Sequence, residues 1–292
     1  MSWPGGSLVF KGLVFNLCDG VALSRRHRRA GKFFVDVTNG LIYCVAASGK
    51  VRDHLMWILA VQDVCLAFSG DGMLTVVTGA TGHIGGNLVR LLLAEGRKVR
   101  CLVWEHDDNT AALDGLDVER VCGDVRDLES LKRAFSGADV VYHLASRISI
   151  VGPEGGLVRA INVGGAANVA EACIQCGVRR LVHFSSIHAR NINTDLDKPV
   201  DETRERSGGR GTPAYDISKG DGELEILKAV EKGLDAVIVC PTGVIGPLDW
   251  KKSRMGTVFL GLATGKLPGG VQGGFDWVDA RDVAAAAIAA ES

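Results

Sequence analysis

From Met73 onward the chain alternates short apolar runs, rich in β-branched residues, with longer stretches in which apolar residues recur every three or four positions. The short runs cover residues 74–78, 99–103, 118–121, 140–144, 181–184 and 236–240, the last closed by Pro241. Continuous apolar runs of this length predict strands buried on both faces. After the first run Ile84, Leu88, Leu91 and Leu92 share one helical face, and Gly96 stops that helix. Further helices are predicted from near Leu128, from about Leu157 to just before Gly177, and over residues 215–230. Strands alternating with helices imply an α/β fold, a doubly wound parallel sheet with helices on both faces.

The first 72 residues read differently. They contain no Glu and carry 8 Lys+Arg against 5 Asp, a net of +3, whereas the rest of the chain sums to −4. Their start has no basic n-region, and the apolar stretch 55–68 is interrupted by Gln62 and Asp63, so neither a signal peptide nor a spanning helix is expected. Residues 1–72 are therefore expected to form an extension outside the catalytic fold, with Met73 as the natural start. Over the whole chain 33 Lys+Arg balance 34 Asp+Glu, which implies no nucleic-acid partner, and no membrane partner is expected. Eight scattered cysteines in a chain of 292 residues favour a reducing compartment, and the chain is read as cytoplasmic. Oligomeric state is not legible.

Gly79-Ala80-Thr81-Gly82-His83-Ile84-Gly85 joins the first strand to its helix. In that context Gly79 permits a tight turn, Gly82 lets backbone approach a pyrophosphate, and Gly85 lets helix and strand pack closely, while the helix N-terminus supplies N–H groups. Thr81, His83 and Ile84 are read with them as cofactor-binding, His83 facing a phosphate. The end of the second strand should choose the cofactor, an acid favouring the free ribose 2′-OH and an arginine the 2′-phosphate. Here Val103 and Trp104 stand at that place, followed by Glu105 and His106. With no acid at Val103, NADP(H) is favoured over NAD(H), both remaining admissible. Asp124, with Val125, follows the third strand, where its carboxylate would accept from an adenine amino group; the competing reading is a helix N-cap.

Tyr215 and Lys219 stand four residues apart, hence on one helical face. A neighbouring ammonium stabilises a phenolate and draws the phenol toward the working pH range, which suits proton transfer. Ser185 and Ser186 end the fifth strand upstream of this pair, on the carboxyl edge where such sheets bind ligands. Other clusters weigh less. Cys173 and Cys176 have metal or redox spacing without a second ligand pair and read as helix packing, so no metal is expected. His143, His183 and His188 read as structural, and Asp279 as a helix cap.

From Met73 to Ser292 these residues resemble the extended short-chain dehydrogenase/reductases, the NAD-dependent epimerase/dehydratase family. The resemblance rests on the glycine loop, Gly123-Asp124-Val125, His143-Leu144-Ala145-Ser146, Ile161-Asn162-Val163, Phe184-Ser185-Ser186, Tyr215 with Lys219, and Pro241-Thr242-Gly243-Val244, all in the family's order. Gly246-Pro247, Arg254-Met255-Gly256 and residues 273–279 look most like dihydroflavonol-4-reductase-like proteins. The resemblance implies Tyr215 as acid-base group, Lys219 as its partner and ribose ligand, and Ser186 as donor to the substrate oxygen, with Ser185 as the fallback. It extends the cofactor-binding set to Leu144, Ala145, Ser146, Pro241, Thr242, Gly243 and Val244.

The family continues beyond the position of Ser292, so a dinucleotide-binding Rossmann domain is expected over residues 73–240 and a partial, C-terminally truncated substrate lobe over 241–292. The expected activity is an NAD(P)-dependent oxidoreductase that reduces a small carbonyl or oxidises the matching alcohol. A nucleotide-sugar epimerase or dehydratase and a non-catalytic dinucleotide-binding protein are the alternatives.

Overall fold

The computed structural model describes residues 34–38, 41–45, 72–192, 194, 199–266 and 274–291. Six strands from the alternating region, β3 (Leu74–Thr78), β4 (Lys98–Val103), β5 (Val118–Cys122), β6 (Val140–His143), β7 (Arg180–Phe184) and β8 (Ala236–Val239), form one parallel sheet. The strands β3, β6, β7 and β8 are buried almost throughout, as their apolar runs predict. Their neighbours run in the order β8-β7-β6-β3-β4-β5. From β3 the chain winds outward through β4 and β5, then returns to β6 on the other side and winds away through β7 and β8. The order therefore reverses between β3 and β6, and their carboxyl ends open a crevice, the usual ligand site of such sheets. An antiparallel hairpin, β1 (Phe34–Thr38) and β2 (Leu41–Val45), lies along the outer edge, with β2 parallel to β8.

Helices cover both faces. On one, α2 (Leu128–Phe135), α3 (Gly165–Cys176) and α4 (Ala214–Glu231) close a core around Leu131, Phe135, Val169, Leu181 and Ile226. On the other, α1 (His83–Ala94) and α6 (Ala280–Ala289) pack with Leu88, Leu92, Tyr142, Val283 and Ile288. The predicted boundaries hold within a residue or two, with one difference. The helix expected from Leu157 begins as a single α-turn, Leu157–Arg159, passes through a π-turn, Ala160–Gly164, and only then becomes α3. The C-terminal stretch also divides: β9 (Gly243–Ile245) pairs with β10 (Trp277–Asp279) beside α5 (Arg254–Ala263), whereas α6 returns to the sheet and packs against α1. Asp279 caps α6 by accepting from the Arg281 N–H, as expected.

No helix among the described residues is long and apolar enough to cross a membrane.

Candidate active site

The turn after β3 is built around contacts that no side chain could share. Gly79 sits at φ +72°, and a Cβ there would lie 2.7 Å from the Ala145 nitrogen, so the turn and the end of β6 meet backbone to backbone. A Cβ on Gly85 would come within 2.2 Å of the Gly79 carbonyl oxygen, which fixes its role as the close contact between α1 and the turn. At Gly82 a Cβ would meet only the Gly79 carbonyl, at 3.2 Å, so its outer face is open. Gly82 is also the N-cap of α1, with no side-chain cap and no acid in the first turn. The free N–H groups of that turn and the exposed backbone form a cradle for an anion, which fits the pyrophosphate of a dinucleotide.

Around this cradle the structure draws in the residues expected there and one that was missed. Leu144 and Ala145 follow β6 directly beside the turn, and Ser146 donates to Asn162 Oδ1 at 3.1 Å. Asn162, buried in the π-turn, also accepts from Arg147 N and donates to Arg147 O and Ser218 Oγ, so it braces the segment after β6 against α4. His83 meets the Gly246 carbonyl at 3.2 Å, and Ile84 packs into the core. Trp104 is exposed.

The missed residue is Asp107. It accepts from Thr81 Oγ1 at 2.5 Å, from Lys251 Nζ at 2.8 Å and from Asn109 N at 2.9 Å, while Asn109 Nδ2 donates to Thr81 O. Burial pushes its carboxyl up, but hydrogen bonds from Lys251, Thr81 and Asn109 outweigh it and hold the group below the usual carboxylate range. A carboxylate about twenty residues past the glycine loop is the expected signal for a ribose-binding acid. The end of β4 itself carries no acid; the loop after it brings Asp107 back to Thr81.

Asp124 is not a helix cap: Asp127 caps α2, accepting from Glu129 N. Both Asp124 oxygens are engaged by Arg126, whose guanidinium holds that carboxyl low. Val125 packs its side chain into the core, and its carbonyl accepts from Asn168 Nδ2. Pro241 O accepts from Ile187 N, Thr242 stands beside Asp276, and Gly243 and Val244 open β9.

The proton-transfer candidates gather where β7 ends. Helix α4 turns an unusually polar face inward, with Asp216, Ser218, Lys219 and Glu223 buried. The Ser186 hydroxyl accepts from His188 N and lies near enough to the Tyr215 phenol to favour its ionised form, whereas Ser185 donates to Glu223 at 2.6 Å and is committed to the interior. That separates the two serines in favour of Ser186. The Lys219 ammonium lies 5.9 Å from the Tyr215 ring centroid and donates to Phe184 O at 3.1 Å.

The expected tuning differs here. Burial pushes the Tyr215 phenol up to about 12, with nearby Ser186 opposing and Asp216 adding to the rise. Burial likewise lowers Lys219 to about 8, against support from Cys240 and Glu223. The lysine is spent on a backbone carbonyl rather than on the phenol, so at neutral pH the phenol is fully protonated, the form that donates a proton.

The histidines behave as structural groups. His143 and His183 face each other across β6 and β7, and burial, with lesser contributions from nearby charge, drives His143 down to about 3 and His183 well below its usual value. Cys173 is buried with its thiol pushed up, mainly by burial, and Cys176 donates to Lys132 O. No cluster of three metal-ligating side chains occurs among the described residues.

A doubly wound parallel sheet with a glycine turn at its reversal point defines a dinucleotide-binding α/β protein. The NAD dependent epimerase/dehydratase family model matches residues 75–291, and the chain belongs to that family of enzymes. It is 39% identical over 221 residues to sterol demethylase protein B of Methylococcus capsulatus, covering 75% of this chain and 66% of that protein. A dihydroflavonol 4-reductase-like protein of Synechocystis sp. is 35% identical over 211 residues, 72% of this chain and 60% of that protein. The crystal structure of gox2253 superposes with a TM-score of 0.66 at 34% identity, over 72% of this chain and 64% of that one. The chain thus spans 66% and 60% of the length of the two relatives.

Proposed function

We propose that the chain binds a nicotinamide dinucleotide with its pyrophosphate over Gly79–Gly85 and transfers hydride between it and a small carbonyl or alcohol substrate. The observation that carries the reading is the meeting of Ser186, Tyr215 and buried Lys219 at the end of β7, on the same sheet edge as the glycine cradle. Bound nicotinamide supplies the hydride chemistry, and the rest falls to side chains. Tyr215, protonated at neutral pH, donates its proton to the substrate oxygen as that oxygen gains charge. Ser186, beside the phenol, supports the phenolate left behind and holds the substrate oxygen. Lys219 adds positive charge to the same spot and a donor for the ribose. Leu144 to Ser146 and Pro241 to Val244 line the strand ends around the cofactor.

For the cofactor, the absent acid at Val103 favours NADP(H), but the Asp107 carboxylate on Thr81 opposes a 2′-phosphate. We read the balance as NAD(H) bound more tightly and NADP(H) admitted. Residues 73–240 together with α6 are proposed as the dinucleotide-binding unit, because α6 packs against α1 on the sheet, and 241–279 as part of a substrate lobe; the expectation that all of 1–72 lies outside the fold is corrected by the hairpin of β1 and β2, which extends the sheet beside β8.

Oxidation of NADH or NADPH with a panel of small ketones and aldehydes tests the activity. Tyr215→Phe is expected to lower turnover by about 10²–10⁴-fold with dinucleotide affinity nearly unchanged; retention of more than about a tenth of the rate contradicts the role. The family also favours a second reading, an epimerase or dehydratase in which the dinucleotide is reduced and reoxidised within one cycle. Net consumption of NADH or NADPH separates the two.

A further inference from the structure

Beneath the serine-tyrosine pair lies a buried ionic cluster that proton transfer does not use. Glu223 is fully buried, one helical turn beyond Lys219 and two beyond Tyr215 on the same face of α4. Its Oε1 accepts from Ser185 Oγ at 2.6 Å and from the Cys240 thiol at 3.5 Å. Its Oε2 accepts from Arg190 Nη1 at 2.7 Å, and Arg206 Nε stands 4.0 Å away. Arg190 is itself almost completely buried. One carboxylate thereby joins the end of β7, the following loop and the end of β8 to the helix that carries Tyr215 and Lys219.

The neighbouring contacts form a continuous seam. Ser186 lies near the Tyr215 phenol and favours its ionised form, Asp216 lies 3.3 Å from His188 Nδ1, and Lys219 donates to Phe184 O. Of these, the Glu223 contacts are the innermost and the only ones that include a fully buried ion pair. A charged hub of this kind is costly to bury unless each partner is in place, so it admits one arrangement of residues 184–190 and rejects shifted ones. Ser186 is covalently next to Ser185, and the orientation of its hydroxyl toward Tyr215 follows from where Ser185 is held.

We propose that Glu223 is a positioning residue: through Ser185 and Arg190 it fixes the segment 184–190 against α4 and so holds Ser186 in register with Tyr215. This goes beyond the proposed activity, although its kinetic test rests on that reading. Glu223 touches neither substrate nor cofactor in this role.

The test replaces the ion pair by apolar side chains of similar length, Glu223→Met together with Arg190→Met, an exchange that for buried pairs is often close to neutral in stability. Amide hydrogen exchange of the full chain, read by mass spectrometry, needs no substrate. Ile187, Ala189 and Arg190 donate their N–H groups to Pro241 O, Ser186 O and Ile187 O. Their protection is expected to fall about tenfold or more in the double variant while that of β3 and β6 stays unchanged. Unchanged protection over 184–190, or equal loss across the sheet, overturns the proposal.

In the kinetic arm, kcat per dinucleotide-binding site falls about 10²-fold, the cost of a displacement of about 1 Å, with KM for NADH nearly unchanged. A merely structural role lowers the folded fraction but leaves kcat per binding site intact, and that result refutes the assignment. Glu223→Gln, which retains an acceptor for Ser185, is expected to lose less of both signals than the double variant; an equal or larger kcat loss per binding site contradicts a role through Ser185. If the unmodified chain consumes no NADH or NADPH with any carbonyl, the proposed activity fails and the exchange arm still decides on Glu223.

Discussion

Lys219→Met is expected to make the protein more stable at neutral pH, although it removes a proposed catalytic group. Burial lowers the Lys219 ammonium from 10.5 to about 8, which corresponds to about 3 kcal/mol of cost for holding the charge in the folded state. Against this stands the hydrogen bond to Phe184 O, 3.1 Å long, whose loss costs about 1 kcal/mol. The net expectation is a gain of about 2 kcal/mol at pH 7, roughly 4–8 °C in Tm for a domain of this size. The sign follows from proton counting. Between about 8 and 10.5 the unfolded lysine binds more protons than the folded one, so the wild-type protein gains stability as pH rises through that window. The penalty is complete below about 8 and gone above 10.5. Differential scanning fluorimetry of both proteins from pH 7 to pH 10.5 reads it directly. The Tm difference should be largest at pH 7 and shrink as the wild type sheds its proton. A variant less stable at pH 7, or a difference that ignores pH, refutes the reasoning. The same substitution should weaken dinucleotide binding, a stability cost carried at a functional site.

Two further expectations concern the cofactor and the extension. Asp107→Ser removes the carboxylate held by Thr81 and Lys251, and the ratio of NADPH to NADH affinity should rise about tenfold, since repulsion of the 2′-phosphate is lifted and Lys251 is released; fluorescence titration with each dinucleotide checks it, and an unchanged ratio removes Asp107 from the cofactor site. A chain starting at Met73 is expected to keep cooperative unfolding and dinucleotide affinity, and loss of either shows that the hairpin beside β8 is needed by the core.

Much of this was legible in the chain because the governing signals are local. Apolar runs between helical periods define strands and helices without reference to anything distant, and Gly79, Gly82 and Gly85 declare the turn by spacing alone. The resemblance favours Ser186 over Ser185, but the residues alone do not show why, since the reason is that Glu223, nearly forty residues downstream, takes Ser185. Asp107 was hidden for the same reason: its meaning comes from a loop that folds back on Thr81 and from Lys251, which approaches from the far end of the chain. Tuning of Tyr215 by Lys219 was inferred from helical spacing, which fixes a shared face but not the partner of the ammonium. The structure gives that partner as Phe184 O, and burial then dominates both groups. The π-turn, a single turn over Ala160–Gly164, is too short to show in an apolar period read over several turns.

In the proposed function the turn after β3 binds a dinucleotide through its bare backbone at Gly82. Isothermal titration of the chain with NADH, alongside Gly82→Val, tests it most directly. One site per chain is expected for the unmodified protein, with binding weakened at least about tenfold in the variant, because a branched side chain would occupy the open face where the pyrophosphate approaches. Equal affinity in the two proteins, with both folded, would contradict it.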